Sequence, residues 1–310
     1  MAKNKLLATE PAGDAALLNG QPVKEKHESI WKDVFAGIVS NKASLVSGIF
    51  ILILAAIAIV TKLAPGILPY DPYAQNLGES LLGPSAQHWF GTDIQGRDIF
   101  CRVLVGTQIT LTVGLAAVAI SLTVGVILGS IAGYKGGKAD TVIMRIMDMI
   151  LAIPSILLAI AIMAALGPGI EKAVVAIGLV AIPEYARIVR SEILSIKEND
   201  YVAAARVIGD SNFKIVFKHV LPNVLPSIIV RATLGISTAI LDAAALGFLG
   251  LGVQPPAAEW GDMLGRGRNE LFRAPWLMIF PGLAITLTVL AFNLLGDGVR
   301  DGLDPKARKR

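Results

Sequence analysis

The side chains of this chain that could attack a carbonyl or ligate a metal are few and scattered. Its three histidines, His27, His88 and His219, fall in separate polar stretches, and Cys101 is the only cysteine. No two of them have the spacing of a metal site, and no phosphate-binding G-x-x-x-x-G-K-[ST] run occurs. The sequence therefore predicts no catalytic residue, metal or cofactor in this chain. Any nucleotide that drives it must be bound by another chain.

Charged residues within apolar surroundings are the next candidates for a specific role. Arg145 and Asp148 lie three residues apart, as do Glu184 and Arg187. Residues at this spacing are neighbours on one helix face. The sequence predicts an ion pair within each of these two helices.

The elements that carry these residues are strongly apolar. Of the 310 residues, 54% are hydrophobic and only 17% are charged, with a mean hydropathy of +0.64. Long uncharged runs, each long enough to cross a hydrocarbon core about 30 Å thick, favour helices over the alternating strands of a barrel. We predict an all-α integral membrane protein with six transmembrane helices. Four spans are strong and the last two are weaker: Ala43–Thr61, Val103–Tyr134, Met149–Ile170, Ala274–Gly296, 171–188 and 225–250.

The distribution of positive charge predicts the orientation. With six spans, successive loops lie on alternate sides of the membrane. The side that holds the two termini then carries 19 Lys and Arg residues, and the opposite side carries six. Because cytoplasmic loops carry the excess of Lys and Arg, both termini are predicted to be cytoplasmic. The net charge of +4 is then explained by topology rather than by nucleic-acid binding.

The chain is predicted to be one membrane domain, 43–298, with a tail at each end. Residues 1–28 read as a disordered cytoplasmic tail and 299–310 as a basic cytoplasmic tail. Segment 29–42 has Trp and Phe at helical spacing, which predicts an amphipathic helix at the membrane interface; the alternative is the first turns of span 1. The predicted outer (periplasmic) loop, 64–101, is rich in Pro, Asp and Gly.

Three glycines recur at every fourth residue late in the second span. Gly125, Gly129 and Gly133 form a small-residue seam that would let another helix approach closely. Ordinary glycine enrichment in membrane helices is the alternative explanation.

The most distinctive segment is the basic inner loop, 187–222. It predicts a helix over Ser195–Ile208, a turn at Gly209, where glycine tolerates positive φ, and a second helical piece over Phe213–Val220. Such a stubby projection suits insertion into a cleft of a soluble partner. A plain amphipathic connector at the membrane surface is the alternative.

These motifs resemble those of a known family. The run A-A-A-R-V-I-G, followed by H-V-L-P, resembles the EAA signature of ABC importer permeases. The outer-loop run from Gly91-Thr92-Asp93 to Gly96-Arg97-Asp98 resembles that of the peptide and nickel branch. Three further stretches are similar as well: Leu246–Gly252 with Gln254–Pro256, Glu259–Gly261, and Gly296–Asp301 with Asp304-Pro305. On these residues the chain is identified as a member of that branch.

The resemblance implies a type I ABC importer transmembrane domain in the bacterial inner membrane, which moves di- or oligopeptides and is not itself an enzyme. Its expected partners are a homologous permease, two ATP-binding subunits that hold ATP and Mg, a periplasmic substrate-binding protein, the peptide and membrane lipid. The basic loop would be the coupling loop, with its coupling helix seated on the ATPase. The residues implied in docking are Tyr201, Ala203, Ala204, Ala205, Arg206, Gly209, Phe213 and His219.

The motif departs from the family at one position. Ala203 stands where the family usually has Glu, which removes a charged contact to the ATPase. Arg206 or Glu198 are candidates to replace that contact, or the partner permease carries the stronger coupling.

Asp242, flanked by Leu241 and Ala243, is the clearest ionisable residue within a span. Such residues face protein or water because lipid exposure is costly. It lies either on the pathway, attracting the amine of a peptide, or in a structural contact with a neighbouring helix or subunit. Two rival functions remain open: the same permease role for nickel, haem or cell-wall peptides, and an ion-coupled secondary transporter. A membrane-embedded enzyme would need paired catalytic groups that this sequence does not offer.

Overall fold

The computed structural model describes residues 30–304, and within them the regular structure is helical. The predicted tail 1–28, Ser29 and the last six residues of the predicted basic tail lie outside this range. In chain order the helices are α1 (Ile30–Ser40), α2 (Lys42–Leu63), α3 (Ile99–Lys135), α4 (Gly137–Leu151), α5 (Ser155–Leu166), α6 (Ile170–Ile196), α7 (Asp200–Val207), α8 (Asn212–Phe248), α9 (Trp260–Gly267) and α10 (Trp276–Leu303).

Four of the described helices are long and apolar enough to cross a membrane. They are α2, α3, α8 and α10, and the bent pair α4–α5 raises the number to five if it counts as one span. The protein is therefore an all-helical membrane protein with four to five candidate spans in residues 30–304. Helix α10 continues to Leu303, so the first residues of the predicted C-terminal tail are helical.

The predicted continuous span Met149–Ile170 is wrong. The chain breaks between Leu151 and Ser155, and α4 and α5 meet at 89°. Pro154 explains the break, because proline has no N–H to donate and disfavours helical geometry at the residue before it. Helix α5 has 12 residues, which is about 18 Å of helix at 1.5 Å per residue and too short to cross alone.

The weak span predicted over 171–188 lies in α6, which is not among the helices apolar enough to qualify. Only 11 residues separate Lys172 from Glu184, and α6 continues through further charged residues to Ile196. The other weak span, predicted over 225–250, is part of α8, which begins earlier, at Asn212.

The predicted ion pairs within α4 and within α6 are also wrong. Asp148 of α4 accepts from the Arg187 guanidinium of α6 at 2.6 Å, and Glu184 of α6 pairs with Arg231 of α8. Arg190 of α6 forms a further pair with Asp140 of α4. The charges are satisfied between helices because tertiary packing brings opposite charges closer than the spacing along one helix does. These pairs join α6 to α4 and to α8.

The glycine seam is a true helix interface, as predicted. It lies on the face of α3 that packs against α6. A Cβ on Gly125 would lie 2.5 Å from the Tyr185 Cβ, and one on Gly129 would lie 2.5 Å from the Ala186 carbonyl oxygen. Such distances leave no room for a methyl group, so the two backbones approach as only glycine allows.

Helix α1 is separate from the first span, because Asn41 breaks the chain and caps α2 by accepting from the Ala43 and Ser44 backbone N–H groups. The alternative interpretation, in which 29–42 forms the first turns of span 1, is therefore wrong. Helix α1 packs on the end of α10, where a Cβ on Gly37 would lie 2.4 Å from the Gly298 carbonyl oxygen. Trp31 and Phe35 point away from the protein and are 70% and 69% exposed.

We expect Gly129→Ala to lower the melting temperature of the purified protein in detergent. The added methyl group would force α3 and α6 apart, and overpacking of this kind costs about 1–3 kcal/mol. Gly66→Ala is the matched control, because nothing lies within 4 Å of a Cβ at that position. Equal melting temperatures for the two variants would contradict the close approach of α3 and α6.

Candidate functional site

The predicted coupling segment folds as two helical pieces around a glycine turn, but with different bounds. Instead of one helix over Ser195–Ile208, α6 ends at Ile196 and α7 begins at Asp200. The interruption lets the apolar side of α7 fold back onto α6. Gly209, at φ +91°, then reverses the chain into α8, as the sequence predicted.

The inner side of this segment is anchored in a small hydrophobic core. Val202 and Ala205 of α7, with Ile215 and Val220 of α8, are buried against Val189 and Ile193 of α6. Residues Ile215–Val220 form a π-helical turn, a local widening that is frequent at functional sites. The coupling segment is thus bound to α6 by packing, so that force on one reaches the other.

The side of the segment that faces away from α6 is also apolar, and no other described residue covers it. Val207 is 88% exposed, Ile208 81% and Phe213 71%. The Phe213 ring lies against the Phe217 ring, with centroids 4.3 Å apart. Exposed apolar side chains clustered on a short polar projection are typical of a protein interface.

The residues predicted to dock divide between the two sides. Tyr201, Ala203, Ala204 and Arg206 are exposed, as are Gly209 and Phe213, whereas Ala205 belongs to the buried core and His219 is partly covered. Because Ala203 is exposed and carries no charge, its position offers a partner only a methyl group. Sequence reasoning missed Val207 and Ile208, although two bulky apolar residues directly before a turn glycine were a usable signal.

A charge cluster holds the turn after Gly209 in shape. The Asp210 carboxylate accepts from the Lys214 ammonium at 2.5 Å and lies 3.1 Å from His219 Nε2. Lys214, and after it His219, hold the pKa of the Asp210 carboxyl below its usual range. His219 therefore makes an internal contact of the segment.

The outer-loop signature residues come together as a compact structural unit. The Asp93 carboxylate accepts from Arg97 Nε at 2.7 Å and from the Gln95 and Arg97 backbone N–H groups. Asp98 caps α3 through the Cys101 N–H at 2.8 Å and also contacts His88 Nδ1 at 2.9 Å. Gly91 and Gly96 take φ of +78° and +71°.

The remaining signature residue, Thr92, ties two segments of this loop together. Its hydroxyl accepts from the Leu82 N–H at 2.9 Å and donates to the Glu79 carbonyl. The outer-loop signature thus builds the loop and the start of α3. His88 was not identified from the sequence as part of it.

Arg102 joins the loop 64–101 to the segment between α8 and α9 at a buried point. Its guanidinium donates to the carbonyls of Pro72 at 3.0 Å and of Pro256 and Ala257 at 3.4 Å. Nearby, the Trp260 indole N–H donates to the Val103 carbonyl at 2.9 Å. The segment before α9 is therefore fixed to the top of α3.

Glu259 caps α9 from a buried position. Its carboxylate accepts from the Gly261 and Asp262 N–H groups, both at 2.9 Å. Burial raises the pKa of this carboxyl from its usual 4.5 to about 7, although the two N–H groups oppose the rise.

Asp242 lines a cavity of about 250 Å³ between α3, α6 and α8, beside the break that separates α4 from α5. The Glu184–Arg231 ion pair lines the same cavity. Nowhere in residues 30–304 do three or more His, Cys, Asp or Glu side chains come together as a metal would require.

Comparison with known proteins decides the family. The family model described as "Binding-protein-dependent transport system inner membrane component" matches residues 125–309, and that of the "N-terminal TM domain of oligopeptide transport permease C" matches 29–84. The chain belongs to this family of ABC importer permeases. It is a non-catalytic transmembrane subunit of a bacterial ABC importer, and permeases of this kind function with ATPase subunits in a transporter complex. The predicted family membership is confirmed.

Several curated relatives cover nearly the whole chain. The dipeptide transport system permease protein DppC of Alkalihalophilus pseudofirmus is 47% identical over 94% of this chain and 95% of its own length. The probable D,D-dipeptide transport system permease protein DdpC of Escherichia coli is 51% identical over 79% and 82%. The glutathione transport system permease protein GsiD of Pectobacterium atrosepticum is 45% identical over 90% and 92%.

Among solved structures, an inward-facing MetNI methionine ABC transporter matches with a TM-score of 0.56 at 21% identity. The match covers 66% of this chain and 98% of the other. At this identity it supports the fold, that of an ABC importer transmembrane subunit.

We expect the melting temperature of the protein to fall as pH rises from 5 to 8, and to fall less in Glu259→Gln. The folded state holds the Glu259 proton more tightly than the unfolded chain does. This group's contribution is therefore full below pH 4.5 and is lost as pH rises through about 7. Glu171→Gln, which neutralises an exposed carboxylate, is the control and should keep the wild-type pH dependence.

Proposed function

We propose that this permease subunit imports di- or oligopeptides across the bacterial inner membrane. Its relatives named for dipeptides and glutathione span nearly its full length and support this cargo over nickel or haem. It would pair with a homologous permease above two ATP-binding subunits that hold ATP and Mg, and receive peptide from a periplasmic binding protein. The ion-coupled transporter alternative is dropped, because the family is driven by ATPase subunits.

The topology proposed is a six-span type I importer with both termini in the cytoplasm. Helices α2, α3, α8 and α10 with the bent pair α4–α5 supply five spans, and α6 would be the sixth. Three of its six charged residues, Glu184, Arg187 and Arg190, are paired with charges on neighbouring helices and are not exposed singly to lipid. The surplus of Lys and Arg on the side of the coupling loop supports the orientation.

The segment between α6 and α8 would be the coupling segment that docks on an ATPase subunit. The observation that carries this proposal is the uncovered apolar tip made of Val207, Ile208 and Phe213. Its burial in a cleft would stabilise the complex by roughly 1.5–3 kcal/mol for each fully covered side chain. A tip of this kind compensates for the missing glutamate at Ala203, because the contact becomes apolar. Motion of the ATPase would reach the cavity through α6, on which the tip's buried side rests.

In a strain lacking its own peptide permease, this chain with its partner subunits should restore uptake of a labelled dipeptide. We expect Gly209→Pro to abolish that uptake while membrane insertion is unchanged, because proline holds φ near −65° and Gly209 requires +91°. Gly209→Asn, which tolerates positive φ better, should retain part of the activity. Unlabelled tripeptides, nickel and haem are then tested as competitors of the labelled dipeptide. Inhibition of uptake by nickel or haem but not by peptides would contradict the proposed peptide cargo.

A single cysteine at the tip should cross-link to the ATPase. We expect Ile208→Cys to form a disulfide-length or short bifunctional cross-link to a cysteine in the ATPase cleft. Leu77→Cys, 74% exposed on the outer loop, is the control and should not react with it. Cys101 is fully buried and should give no background. Cross-linking from position 77 instead of 208 would overturn both the docking and the orientation.

A further inference from the structure

The cavity that Asp242 lines has an unusual distribution of charge. Two of its acidic side chains differ in their partners: Glu184 is paired with Arg231, whereas Asp242 has no ion-pair or hydrogen-bond partner within residues 30–304. The paired charges cancel. The cavity therefore keeps one uncompensated carboxylate, which lies in a span and is half-buried.

Tyr185 of α6 belongs to the same cavity wall. It is 2% exposed, and its hydroxyl interacts with Ser121 of α3, which also lines the cavity. The oxygen lies against α8, since a Cβ on Gly235 would be 2.1 Å from it.

The cavity side of α8 shows how these groups are arranged. Arg231, Gly235, Thr238 and Asp242 follow one another at intervals of four, three and four residues, so they lie on one helix face. Gly235 leaves space for the Tyr185 ring from α6, and Thr238 is exposed between the glycine and the acid. The face thus presents one uncompensated carboxylate to the cavity, about two helical turns from the Tyr185 hydroxyl at Gly235.

We propose that Asp242 binds the ammonium group of the transported peptide. This inference rests on the proposed peptide cargo and adds a binding site for it within the permease itself. A carboxylate removed from water is costly unless a cation joins it, and a primary ammonium supplies both the charge and the hydrogen-bond donors. The competing occupant is a Lys or Arg side chain of the partner permease.

The site can be tested by thiol protection in the assembled complex. In a Cys101→Ala background, Thr238→Cys places one thiol on the exposed cavity face of α8. Its modification by a positively charged methanethiosulfonate is followed in nanodiscs, without the binding protein, at increasing concentrations of a free-amine dipeptide or its N-acetylated form. We expect the free-amine dipeptide to slow the reaction and the N-acetylated one to leave it unchanged.

Asp242→Asn, close to isosteric, should then weaken protection by the free-amine dipeptide about tenfold or more, the usual loss for a hydrogen bond to a charged group. It should also slow modification by the cationic reagent but not by a negatively charged one. Glu171→Gln, which neutralises an exposed carboxylate outside the cavity, is the matched control and should change neither result.

Three results would overturn the inference: equal protection by both dipeptides, no protection by either, or loss of the partner permease from the purified Asp242→Asn complex. The last would make Asp242 part of a subunit contact. Dipeptide import by the same wild-type complex, with binding protein and ATP added, is measured in parallel. Import without amine-dependent protection overturns the site and leaves the proposed function standing, whereas absence of import overturns the function.

Discussion

The close approach of α3 and α6 is the constraint on which the rest of the structure depends. Glycine at positions 125, 129 and 133 removes the side chains that would otherwise hold the two helices apart. In a membrane, where lipid tails are as apolar as the side chains, such backbone contact is a main source of helix association. Helix α6 is thereby fixed, although it is the most charged of the long helices.

Helix α6 in turn connects the two regions with functional features. Its last turns carry Val189 and Ile193, on which the coupling segment rests. Its middle carries Glu184 and Tyr185, which line the cavity. The predicted coupling segment and the cavity wall thus share one helix, through which a displacement of the segment would act on the wall.

The loop 64–101 and the start of α3 are held by polar contacts instead. Asp98 caps α3, Asp93 orders its loop through Arg97, and Arg102 links that loop to the segment before α9. Without a disulfide, these buried charge-assisted contacts give the outer loops a defined shape.

The places where sequence reasoning failed share a physical cause. Ion pairs were assigned by spacing along one helix, yet Asp148 and Glu184 found partners on other helices. A long apolar run was read as one span, although Pro154 bends it by 89°. The ion pairs depend on contacts between segments distant in sequence. The bend depends on a local backbone effect that hydrophobicity does not measure.

By itself the sequence determined the class of protein, its family and the turn at Gly209, because each depends on composition or on the properties of a residue at one position. Tertiary structure decided that the three glycines form a helix interface, which charges are compensated, that Ala205 faces inward while Val207 and Ile208 face outward, and that Asp242 lines a cavity. These are properties of neighbours in space. The sequence lists residues along one dimension, whereas exposure and charge compensation are set by the helices that pack around them.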